Sequence, residues 1–168
     1  MQIPNALRQL LRPIPVILVQ RAASSAYRRV MARHPGLFDR LGEHSAKTFV
    51  FAPKDLPFEF AIRPAEGRVR TAKAGCILRH DVRISGPIFL LLALAEGRLD
   101  GDAEFFGRQI AIDGDMEAVL ALRNALEDCR IDFTEDLAPA RGPLRRPVSL
   151  GLKKVRSMTT RKREAAWN

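Results

Sequence analysis

The chain is poor in the residues that catalyse reactions or staple a fold. Its two cysteines, Cys76 and Cys129, show neither a Cys-x-x-Cys spacing nor the density of a disulfide framework. That fits a reducing compartment and two buried thiols. The three histidines, His34, His44 and His80, have no metal-binding spacing, and the chain has no glycine-rich phosphate loop, dinucleotide fingerprint or nucleophile elbow. His80 adjoins Asp81, but neighbours in a strand point to opposite faces and cannot form a dyad. Asp113 and Asp115 flank Gly114 without the remaining ligands of a calcium loop, so a turn with Asp115 as a helix cap accounts for both. The expectation is a protein that is not an enzyme and holds no metal and no cofactor.

Long apolar runs are also missing. Ile14 to Val19, interrupted by Pro15, falls far short of the roughly 20 residues that span a bilayer. Acidic residues are absent before Asp39, while Arg8, Arg12, Arg21, Arg28, Arg29 and Arg33 precede it. From Arg141 to Asn168, nine basic residues face Glu164 alone. The net charge of +9 therefore sits at the two ends of a nearly neutral middle. Such a layout suits an acidic surface, either anionic lipid headgroups or nucleic acid phosphates. The Arg-rich start shares features with targeting peptides, although its apolar part is short and holds two prolines.

Leu7, Leu10, Leu11, Ile14 and Leu18 recur at helical spacing, with Arg8 and Arg12 off the apolar face and Pro13 and Pro15 breaking or kinking the helix. Such a helix packs on the core or lies in the headgroup region of a membrane, with Leu7 and Leu11 inward and Arg8 and Arg12 at the surface. A second helix is expected over residues 24–34, ended by Pro35 and Gly36. Period-two alternation then predicts a sheet starting at Phe58, Phe60 and Ile62, with Glu59, Ala61 and Arg63 on the other face. Further strands follow over 68–74 and 76–84. Ser85 is placed to cap a helix from Ile88 to Ala95 that is apolar nearly all round. A helix of that kind must be buried on most sides or line an apolar cavity. Ile110 and Ile112 predict another strand. After the turn at Gly114 comes a helix with Val119, Leu120, Leu122 and Leu126 on one side and an Arg123–Glu127 pair at its surface.

The segment Asp102 to Glu127, with its Phe105-Phe106 approach, strand, Asp113-Gly114-Asp115 turn and helix, resembles the closing strand and helix of sterol carrier protein type 2 domains. His80 to Gly101 is similar to that family's strand and leucine-rich helix, and with the strand from Leu56 the likeness covers about residues 37–130. The resemblance implies an α+β fold, with a mixed sheet of about five strands covered by helices around an apolar cavity. It divides the chain into a basic amphipathic extension (1–36), a lipid-binding domain (37–138) and a basic tail (139–168). Within the family, the N-terminal extension and the Phe105-Phe106 and Asp113-Gly114-Asp115 run look most similar to bacterial accessory factors of ubiquinone biosynthesis. That likeness implies a cytoplasmic, peripherally membrane-associated protein. It would bind the isoprenoid tail of quinone intermediates and present them to enzymes such as the iron-sulfur hydroxylases of the oxygen-independent pathway.

Lipid pockets are mostly apolar, and a buried prenyl chain gains about 0.8 kcal/mol per methylene without any polar contact. The candidate lining residues are Phe89, Leu92, Phe105, Phe106, Ile112, Leu120 and Leu122. A competing reading is a nucleic-acid or ribosome-associated basic protein that uses Lys153, Lys154, Arg156, Arg161, Lys162 and Arg163 as a phosphate-binding arm. The core has no basic stripe or aromatic platform, which weighs against it.

Overall fold

The computed structural model describes residues 13–77, 79–96, 109–129 and 131, all within one compact unit, Met1–Ile131. Helix α1 (Val16–Arg33) is followed by a 3-10 segment (Asp39–Ala46), strands β1 (Phe49–Pro53), β2 (Phe58–Arg63), β3 (Arg68–Lys73) and β4 (Val82–Gly86), helix α2 (Ile88–Ala95), strand β5 (Ala111–Gly114) and helix α3 (Met116–Cys129). The strands form a five-stranded sheet in the order β3-β2-β1-β4-β5. All pairs are antiparallel except β1 with β4, which run parallel, so the sheet is mixed and the fold is α+β.

Strand β1, at the centre, is the element that period-two reading passes over. Phe49 and Val50 point to opposite faces and are both buried. A strand covered on both sides reads as a plain apolar run, so Phe49-Val50-Phe51-Ala52 carries no alternation. The register then sorts the side chains. Val69, Ile62, Phe49 and Val82 form one row across the sheet, and Thr71, Phe60, Phe51, Ile84 and Ile112 form the next row on the same face. The other face carries Arg63, Arg68, Arg70 and Asp113, all exposed, beside buried Val50 and Ala61. Helix α2 packs on β1 and β4, and α3 packs on β4, α2 and the 3-10 segment. Phe49, Phe58, Val69, Val82 and Ile84 are buried on the first, aromatic face, and Val50, Glu59 and Ala61 on the other. Helix α3 turns Ala118, Val119, Leu122, Ala125 and Leu126 inward, and each fully buried aliphatic side chain contributes about 1.5–3 kcal/mol.

Several expectations are corrected. The helix expected over 24–34 begins already at Val16; residues 13–15 are non-helical, and those before Pro13 lie outside the described residues. Pro15 stands just before α1, which runs unbroken through Val16–Arg33, because a residue at that position has no intrahelical N–H bond to lose. The stretch from Cys76 is strand only from Val82 onward. Its first part is held by bonds to other groups: Cys76 N–H to Lys73 O, and Ile77 N–H to the Glu59 carboxylate. Ser85 lies in β4 and does not cap α2. The side chain that meets the helix start is Asp55, whose Oδ1 accepts the Ile88 N–H at 2.9 Å. The thiols are not both buried, since Cys76 is exposed and Cys129 half-buried.

Asp115 caps α3 as expected, with Oδ1 accepting the Ala118 N–H at 3.0 Å, and Arg123 bonds Glu127 at 2.6 Å. His80 and Asp81 do act apart. His80 Nε2 lies 3.3 Å from Asp113 Oδ2 on the neighbouring strand, while Asp81 Oδ2 accepts the Thr48 N–H.

Candidate lipid-binding face

Helix α2 is apolar at every position, Ile88 to Ala95. A helix has only one side against the sheet, and here only Leu90 and Leu91 are buried, leaving Ile88, Phe89 and Leu92 to Ala95 half-exposed. Half-exposed Phe51 and Phe60 lie in one row of the aromatic face, on the sheet against which α2 packs. Ile112, at the β5 end of that row, is 39% exposed.

The structure distributes the sequence-derived candidates unevenly. Phe89 and Leu92 sit on the half-exposed side of α2. Leu122 is a buried core residue of α3, while Leu120, on its outer side, is 55% exposed. Leu120 stands one turn from exposed Met116, so those two share a helix face. Phe105 and Phe106 lie outside the described residues, as do Leu7, Arg8, Leu11, Arg12 and the basic tail. Phe51 and Phe60 escaped the sequence reading. The first is in the unrecognised central strand, and the second appeared only as part of the β2 alternation.

Glu59 was missed more completely. Period two assigned it to a polar face, yet it is 0% exposed. Its Oε2 receives Arg83 Nη2 at 2.5 Å, and its carboxylate also takes the Ile77 and Gly75 N–H groups. Burial pushes this carboxyl up, but the two amides and the guanidinium outweigh it and hold it below the ordinary carboxylate value. Arg83 Nη1 in turn donates to Ile77 O at 3.2 Å. The signal available in the sequence was an opposite-charge pair on strands of matching alternation, which cannot be told from two surface charges until the strand order is known.

A cleft of about 260 Å³ opens beside this pair, where β1 ends and the turn after β3 begins, lined among others by Ala52, Lys54, Phe58, Glu59, Arg83 and Ser85. Phe89, Leu92, Ile112, Leu120 and Leu122 are not in its walls. Among the described residues no group of His, Cys, Asp and Glu is placed to hold a metal ion, and no helix is long and apolar enough to cross a membrane.

No curated protein matches the sequence. Among solved structures, one described as a UbiJ-SCP2 ubiquinone synthesis protein superposes with a TM-score of 0.53 at 16% identity, covering 71% of this chain and 98% of that one. The sterol carrier protein domain 2 of Helicoverpa armigera gives 0.43 at 19% identity over 61% of this chain and 84% of that one. Sterol carrier protein 2 from Yarrowia lipolytica, in its apo form, gives 0.44 at 11% identity over 64% and 89%. The first of these shares the fold. The model of the SCP-2 sterol transfer family matches residues 28–127, more than half of the chain, and the protein belongs to that family.

Proposed function

We propose that this protein is a non-catalytic lipid carrier that takes the prenyl tail of a quinone precursor along the half-exposed side of α2 and presents the headgroup to the enzymes that modify it. The observation that carries the reading is α2 itself, an apolar helix with only Leu90 and Leu91 buried. Half-exposed apolar area such as that of α2 is costly in water, and a prenyl chain covering it gains about 0.8 kcal/mol per methylene. Family membership supports lipid as the ligand class, and the ubiquinone-synthesis description of a structural neighbour supports a quinone precursor. Iron-sulfur hydroxylases of an oxygen-independent pathway are the proposed recipients.

Membrane contact through Leu7, Arg8, Leu11 and Arg12, in a cytoplasmic protein that docks peripherally on anionic lipid, completes the proposal. So does the organisation into an extension to residue 36, a carrier domain to 138 and a basic tail.

The test is native mass spectrometry and solvent extraction of the protein purified from its own host, beside a Leu92→Gln variant. A co-purifying prenylated phenol or quinone that the variant fails to retain, at unchanged melting temperature, supports the reading. Phospholipid alone would remove the quinone assignment. No lipid at all, with RNA retained through the basic tail, would replace it with the phosphate-binding alternative.

A further inference from the structure

The charged cleft has none of the proposed prenyl-contacting residues Phe51, Phe60, Phe89 and Leu92 in its walls, and its chemistry is different. Its floor is built from residues that share one side of the sheet: Ala52 stands opposite Ser85, and Val50, two residues before Ala52, stands opposite Arg83. Glu59 shares that side with Ala61, which pairs with Val50. It is the side away from Phe49, Phe51 and Ile84. Ala52 and Ser85 are too small to fill the space above the sheet, which leaves the cleft open. Leu56 and Ala74 supply apolar walls, while Phe58, which alternates with Glu59 along β2, points its ring to the aromatic face.

A buried ion pair contributes little to stability compared with an apolar pair of the same volume, yet Glu59 and Arg83 are held here by two backbone amides and a carbonyl. Their effect is to fix the guanidinium in place. Arginine carries five N–H donors, and among the described residues only the contacts to Glu59 and Ile77 engage them. Lys54, exposed at the end of β1, adds a second cation to the same walls. With Glu59 neutralising one of the two, the cleft carries one net positive charge. At about 260 Å³ it lies just below the range of roughly 300–1,000 Å³ typical of drug-sized ligands.

We propose that this cleft is a second binding site, separate from the lipid face, for a small carboxylate with an apolar body. The carboxylate lies between Lys54 and the outer edge of Arg83, and the apolar body lies against Leu56. A charge-assisted contact of this kind needs both the charge and the fork of donors. An uncharged amide of the same shape lacks the charge, and inorganic phosphate lacks the apolar body.

The experiment is a titration of the full chain followed by amide chemical shifts, with benzoate as the probe and benzamide and inorganic phosphate as controls. Benzoate is expected to shift the amides around Lys54, Gly75, Arg83 and Ser85 saturably, and the two controls much more weakly. Lys54→Ala should weaken benzoate about tenfold, the loss of one charge-assisted bond. Ser85→Leu, which fills the cleft, should abolish binding while leaving lipid retention intact. Lys54 is exposed, so its variant carries the test even if the leucine variant melts early. Shifts that do not saturate, an equal response to benzamide, or unchanged affinity in Lys54→Ala would overturn the site. Phosphate binding as tightly as benzoate would overturn the requirement for an apolar body.

Discussion

The side-chain amide of Gln20, on α1, occupies the place of a neighbouring strand beside Thr71. Its Oε1 accepts the Thr71 N–H at 2.6 Å, and its Nε2 donates to Val69 O at 2.7 Å. Strand β3 is an edge of the sheet, and unpaired edge groups are both a stability cost and an invitation to pair with other chains. Gln20→Ala removes these two hydrogen bonds and a third, from Nε2 to Ser24 Oγ at 2.8 Å, and should cost about 2–3 kcal/mol by denaturant unfolding. Gln20→Glu keeps the acceptor and loses the donor, so it should fall between. Amide exchange at Thr71 provides the local check: it should accelerate in the alanine variant ahead of the β1 and β4 amides.

Glu59 and Arg83 call for a double-mutant comparison. Arg83→Ala leaves a buried carboxylate without its cation and should destabilise by about 3 kcal/mol. Adding Glu59→Leu removes the stranded charge and should recover a large part of that loss. A double variant no more stable than Arg83→Ala would show that the pair matters through the 74–77 turn it holds and not through its charge.

Asp115 sets the acid limb of stability. The Lys47 ammonium bonds its Oδ2, and the Ala118 N–H adds to this, taking the carboxyl from 3.8 to about 2. A carboxyl lowered on folding is protonated more readily in the unfolded chain, so its contribution is complete above the unfolded value and disappears as pH falls through the folded one. The gap in denaturant midpoint between wild type and Asp115→Asn should therefore be constant above pH 3.8 and close toward about pH 2. Asparagine still caps helices, so a gap that persists unchanged at the acid end would assign the effect to packing.

Gly114 closes the turn between β5 and α3 at φ +101°, and a Cβ there would run into the backbone carbonyl of Asp81. Gly67, at φ +60°, has open space around the same position. Gly67→Ala should cost about 1 kcal/mol, the ordinary penalty of a left-handed residue. Gly114→Ala should cost at least about 3 kcal/mol, because strain and collision add. Thermal melts of the two variants side by side distinguish backbone conformation from steric contact.

Much of the fold was legible locally. The alternation at Phe58-Phe60-Ile62, the apolar helix from Ile88, the Asp115 cap and the Arg123–Glu127 pair all rest on neighbours within a few residues, where periodicity and capping chemistry act directly. The candidate site was legible in part. Phe89 and Leu92 could be named because a wholly apolar helix is conspicuous. Phe51 and Phe60 could not be placed without knowing that β1 lies at the sheet's centre.

The sequence by itself determined most of the element types, the cationic ends around a neutral middle, and the scarcity of catalytic and metal-binding patterns, since these follow from composition and short-range spacing. Only the tertiary structure decided that Phe49-Val50 is a central strand and that Glu59 is a fully buried carboxylate paired with Arg83. It alone decided that Gln20 completes the edge of β3 and that most of α2 stays half-exposed. Each of these depends on which strands and helices become neighbours, and that is set by long-range pairing whose signature no local period contains.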